Sequence, residues 1–135
     1  MTSKYPNLVT TIVGLALTST PAAWASPTFD TCVALANART ALYSMLSAKD
    51  KSALDTLNAK VQATSTRIDA LIASMTGADA KAAADFKTVW DQFKATREDQ
   101  IIPAIYKGNI EDAKKIADGI QFDRFSKMFR IMSCR

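Results

Sequence analysis

Two arginines stand where helical spacing would put apolar side chains, in a chain that contains no histidine. Arg39 falls between Ala36 and Tyr43, and Arg97 falls between Phe93 and Ile101. Thr64, Gln100 and Gln121 interrupt apolar stripes in the same way. A guanidinium presents a planar fork of N–H donors, so two of them with hydroxyl and amide donors form a set suited to a carboxylate or another small anion. The competing reading keeps both arginines at stripe edges, reaching water or pairing with an acid such as Asp69 or Asp118. At about 1.5 Å of helix rise per residue, Arg39, Thr64 and Gln121 come out near mid-height and Arg97 somewhat higher.

The missing chemistry narrows the function further. Without histidine there is no imidazole base, no serine or cysteine triad that depends on one, no ordinary zinc ligand set and no c-type haem attachment. No glycine-rich phosphate loop occurs. The acidic pairs Glu98-Asp99 and Glu111-Asp112 fit solvation, capping and pairing with lysines a turn away. No catalytic residue, metal ligand or cofactor is expected, and the chain does not read as an enzyme.

The elements that must position these side chains read as all-α. Helix 1 starts near Thr28 to Asp30, with Phe29, Cys32, Ala36, Tyr43 and Leu46 on one face and Leu35 and Leu42 beside them. Helix 2 starts after Asp50 or Ser52 and carries Leu54, Leu57, Val61, Thr64, Ile68, Leu71 and Met75 at alternating steps of three and four. Gly77 ends it, and Asp79 caps helix 3, whose inward face is Ala83, Phe86, Val89, Trp90, Phe93, Arg97, Gln100, Ile101 and Ala104. Pro103 removes one backbone donor and should bend the end of helix 3, and Gly108-Asn109 separates it from helix 4. In helix 4 the apolar direction turns at Gly119, which a local bend or a broad buried face would serve equally. Short connections between long amphipathic helices give an antiparallel up-down-up-down four-helix bundle.

The first 25 residues read as an address. Lys4, the apolar run Leu8 to Thr18, Pro21 and then Ala23-Trp24-Ala25 have the order of a cleavable secretory signal, leaving a domain over residues 26–135. Loss of Lys4 lowers the net charge from +4 to about +3, and the basic residues are spread along the chain, so nucleic acid is not an expected partner. No membrane insertion is expected after cleavage. In an oxidising compartment, periplasmic or extracellular, Cys32 and Cys134 invite a disulfide. The bundle topology separately puts the start of helix 1 beside the end of helix 4.

The segment "FKATREDQIIPAIYKGNIEDAKKIADGIQFDRFSKM", Phe93 to Met128, resembles the end of the periplasmic four-helix-bundle sensor domain of methyl-accepting chemotaxis receptors. The resemblance rests on Arg97-Glu98-Asp99, Ile101-Ile102-Pro103-Ala104, Gly108-Asn109 and Glu111-Asp112-Ala113. It implies a sensor-type domain that binds a small ligand or another periplasmic protein and associates weakly as a dimer. The chain departs from the family in being expected without membrane spans or signalling parts, and the inward arginines make the expected small ligand an anion. An alternative is a haem-free relative of the cytochrome b and c-prime bundles with a structural or interaction role, which the tail "IMSCR" resembles.

Overall fold

The computed structural model describes residues 26–135, so the signal segment expected over residues 1–25 lies outside the described residues. The chain forms α1 (Pro27–Leu46), α2 (Lys51–Ser74), α3 (Ala80–Thr96), α4 (Ile102–Tyr106), α5 (Ile110–Asp118) and α6 (Ile120–Ile131). A π turn over Arg97–Ile101 joins α3 to α4, and α5 and α6 meet at Gly119, so these elements make four helical rods. No strand occurs among the described residues. No described helix is long and apolar enough to cross a membrane.

Local chemistry sets the ends of the rods. The Ser26 hydroxyl accepts from the Phe29 amide, with Pro27 at the first helical position, and the Asp50 carboxylate accepts from the Ala53 amide at 2.8 Å. Gly108 takes a left-handed φ of 81°, and the amides of Gly108 and Asn109 turn back to the carbonyls of Ile105 and Ala104. That double closure satisfies the orphan acceptors of α4. The same closure recurs after α6, with Ser133 at φ 54° and the Cys134 amide on the Phe129 carbonyl. It brings Cys134 to Cys32, and the two form a disulfide with Cα atoms 5.7 Å apart.

Side-chain contacts give the register of the rods. From α2 to the third rod they run Asp55 to Tyr106, Gln62 to Glu98, Ser65 to Arg97 and Asp69 to Lys94. From α1 to the fourth rod they run Tyr43 to Asp118, Arg39 to Phe122 and Cys32 to Cys134. In both series the partner's number falls as the first number rises.

The core has two apolar halves. Leu35, Ile68, Phe86, Trp90, Phe93 and Met128 belong to the half nearer the disulfide, and Leu42, Met45, Val61, Ile101, Ile105 and Ala113 belong to the other. Every rod changes from one half to the other at the same level. On α2 the change falls at Ser65, on the third rod at Arg97 and on the fourth at Gln121, and all three side chains are buried. A polar layer thus divides the core at mid-height.

Two expectations need correction, and one left open is resolved. The buried line of α1 is Ala34, Leu35, Ala38, Ala41, Leu42 and Met45, whereas Phe29 is 59% exposed and Ala36 and Tyr43 lie at the edge. Apolar residues occur around most of this helix, so periodicity does not fix its inward face. Gln100 is exposed and Ala104 only half-buried, because the π turn inserts an extra residue and rotates the following stripe onto Ile101, Ile102 and Ile105. The Ile102 amide reaches back to the Arg97 carbonyl, and the residue without a donor, Pro103, follows at once. In the fourth rod the two options left open resolve to a break: Gly119 has ψ −112°, and a Cβ there would meet the Lys115 carbonyl oxygen at 2.9 Å.

Candidate functional site

Arg97 is drawn into the core by its place between Phe93 and Ile101, and its guanidinium is satisfied almost entirely by protein. It is 1% exposed, Nη2 donates to the Ser65 hydroxyl at 2.8 Å, and Nε donates to Glu98 Oε1 at 2.9 Å. Glu98 is also held by the Gln62 amide, and the Arg97 guanidinium carbon lies 5.7 Å from the centroid of the Trp90 ring. Burial lowers the affinity of this guanidinium for its proton, and the adjacent Glu98 carboxylate opposes that effect. Nη1 is the one buried side-chain polar atom among the described residues that lacks a hydrogen-bond partner. An orphan of this kind costs roughly 1–3 kcal/mol.

Gln121, the fourth rod's member of the polar layer, is also committed. Its Nε2 donates to the Phe93 carbonyl at 2.9 Å, while Oε1 accepts from Arg124 Nη1. Arg124 reaches across to the Thr96 hydroxyl as well, so this pair ties α6 to α3. Thr64 is half-buried with its hydroxyl on the Lys60 carbonyl of its own helix, in a groove that also includes Asn37 of α1. Of the five sequence-selected residues, Arg97 and Gln121 share the buried layer, Thr64 faces the α1–α2 groove, and Gln100 faces solvent. They do not converge on one cavity.

Arg39 is placed differently. Its guanidinium carbon lies 5.0 Å from the Tyr43 ring centroid, 5.1 Å from Phe122 and 4.7 Å from Phe125, so three aromatic rings surround it. Such contacts hold a cation through the ring quadrupoles, and the guanidinium also acts on the Tyr43 hydroxyl, opposing the rise of its phenol. The side chain is half-buried and forms no ion pair among the described residues. It opens onto a groove of about 510 Å³ lined also by Thr40, Tyr43, Ser44 and Ser47. The nearby carboxylate of Asp118 is engaged by the Tyr43 hydroxyl at 2.6 Å and by Lys114 at 2.8 Å. These two partners, Lys114 first, hold Asp118 below the ordinary carboxylate range, while burial and the Asp118 contact raise the Tyr43 phenol.

A groove of about 430 Å³ between α2 and α3 is floored largely by alanines, and its Lys87 and Lys94 are already bonded to Asp91 and Asp69. Sequence reasoning missed Ser65 and chose its neighbour Thr64, although Ser65 stands four residues after Val61 and three before Ile68. It also missed the ring cluster around Arg39, whose members come from two rods and have no common local spacing. No protein-family model matches this chain, and no curated protein or solved structure matches it either.

Proposed function

We propose that this protein is an exported, antiparallel up-down-up-down four-helix bundle of the chemoreceptor-sensor type that binds a small anionic ligand and carries out no catalysis. The opposed register of the rods and the Cys32–Cys134 bond support the architecture, and a disulfide is compatible with a periplasmic or extracellular setting. The observation that carries the binding reading is Arg39, a guanidinium held by three rings with no ion pair among the described residues, facing a hydroxyl-lined groove. A guanidinium kept in place before binding loses less freedom when an oxyanion arrives.

Arg97 has the opposite profile and acts in this reading as a structural residue, because it is sealed behind Glu98 and Ser65. The test is a thermal-shift screen of monocarboxylates and dicarboxylates on the oxidised protein. Ligands that bind the native state raise Tm by mass action, and Arg39→Gln should abolish the rise. A rise that persists in Arg39→Gln, or no rise with any carboxylate, overturns the reading.

A further inference from the structure

Helix α2 sorts its charges by face. Its two acids, Asp55 and Asp69, are bonded to Tyr106 and to Trp90 and Lys94 of the third rod. Its cations Lys60 and Arg67 line the opposite flank, in the groove against α1. Neither has an acid three or four residues away, and neither forms an ion pair among the described residues. By contrast Lys51, Lys81, Lys87 and Lys114 each pair with an aspartate four residues on. Helix α1 supplies no counter-charge, since its exposed positions are Phe29, Val33, Asn37 and Thr40, and Asp30 forms no ion pair among the described residues.

The groove is continuous. A hollow of about 290 Å³ beside Arg67 and one of about 400 Å³ beside Lys60 share Asn37, Ala63 and Thr64, and no acid lines either. Its floor is made of small groups: Ala34, Ala41 and Ala63 supply methyls, and the hydroxyls of Thr40, Ser44 and Thr64 donate to carbonyls of their own helices. From Val33 to Ser44 the groove follows α1 for about 16 Å, or roughly three helical turns. Along α2, Lys60 and Arg67 stand about 10 Å apart, or roughly two turns.

We propose that this groove docks an acidic α-helix of a partner protein, laid between α1 and α2 with two carboxylates, seven residues apart, on Lys60 and Arg67. Small side chains let a helix approach closely, and a seven-residue step keeps both acids on the side that meets α2. Charge complementarity selects this partner. A second copy using the same face would bring its own Lys60 and Arg67 to a surface that lacks acids. The proposal is independent of the carboxylate reading, because Arg39 meets Phe122 and Phe125 of α6 on the other flank of α1.

The test is fluorescence anisotropy of the oxidised protein with an alanine-based helical peptide that carries glutamates seven residues apart. One control peptide carries lysines at those positions, and another has its glutamates five residues apart, which keeps the charge and turns the second acid to a different face. The matched peptide is expected to bind best and to shift the amides of Asn37, Ala63 and Thr64. Lys60→Gln and Arg67→Gln should each weaken it about fivefold, the upper scale of an exposed ion pair, and together about twenty-five-fold. Ala63→Trp, at an exposed position where circular dichroism checks the fold, should fill the floor and abolish binding with both cations intact. No binding of the matched peptide, equal binding of either control, or binding untouched by Ala63→Trp would overturn the proposal. Displacement of the peptide by an equal concentration of glutarate would overturn it in favour of a small anion. Sedimentation as a dimer that Ala63→Trp dissociates would overturn it in favour of a second copy.

Discussion

Arg97 and Arg39 lie near the level where the core changes from one apolar half to the other, yet their surroundings differ in every respect that matters for binding. Arg97 is 1% exposed and bonded to Ser65 and Glu98, whereas Arg39 is half-buried against three rings and forms no ion pair among the described residues. One guanidinium joins α2 to the third rod, with only Nη1 left without a partner. The other rests against the rings of Tyr43, Phe122 and Phe125, with no ion pair among the described residues. Hydrogen bonds fix a cation by consuming its donors, while aromatic faces fix it and leave them free. The same residue type at the same height therefore serves cohesion in one place and recognition in the other.

The strongest way to break this comparison is to reduce the disulfide. The bond closes a loop with a sequence separation of 102 residues, and in the chain-entropy account its loss costs about 4–5 kcal/mol. Because it staples α1 to the end of α6, reduction should speed amide exchange around Arg39 and Phe125 more than around Ser65 and Arg97. Chemical denaturation and exchange mass spectrometry would show both effects. Equal loss of protection at the two arginines would mean that they belong to one cooperative unit.

Next in size is Arg97→Leu. It removes the bonds to Ser65 and Glu98 at a buried site and should lower unfolding free energy by about 3 kcal/mol, read from urea midpoints. Gly119→Ala should cost about 2 kcal/mol, because the added Cβ meets a backbone oxygen at 2.9 Å that cannot swing away. By contrast, Arg39→Gln should cost about 1–2 kcal/mol in stability, the scale of a half-buried cation against aromatic rings, while removing carboxylate binding. A large stability loss at Arg39 would erase the distinction between the two arginines.

The smallest effect is on pH. Asp118 is held below its ordinary value in the folded protein, so its contribution is complete above the unfolded value near 3.8 and is lost as pH falls through the lower folded value. Tyr43 is raised, so its contribution is present below about 10 and is lost as pH rises through the folded value. Between those limits the Tyr43–Asp118 contact beside Arg39 should not change. Chemical-shift titration of Tyr43 would check this.

Much of the helix pattern was legible because capping and stop signals are local. Asp50, Gly77 and Gly108 sit at helix ends for reasons that each depend on two or three neighbours, whereas the start of α1 was read at Thr28 to Asp30 and lies at Pro27, capped by Ser26. The stripe of α3 was readable as far as Arg97 and wrong beyond it, since Gln100 and Ala104 were placed on a continuous α-helical register that the π turn shifts. The inward face of α1 was misread for a different reason: both sides are apolar, and only packing decides between them. Arg39 and Arg97 were both found as breaks in apolar stripes. What separates them, three rings in one case and Ser65 with Glu98 in the other, is assembled across rods and has no signature along a single one.

The covalent link between the two extremities makes the described domain a near-complete ring of peptide closed by sulfur. A single protease nick at the exposed corner Lys107-Gly108-Asn109 would therefore yield two fragments that still migrate together. They would part only when a thiol reagent is added, so damage in this molecule is concealed until its redox surroundings change.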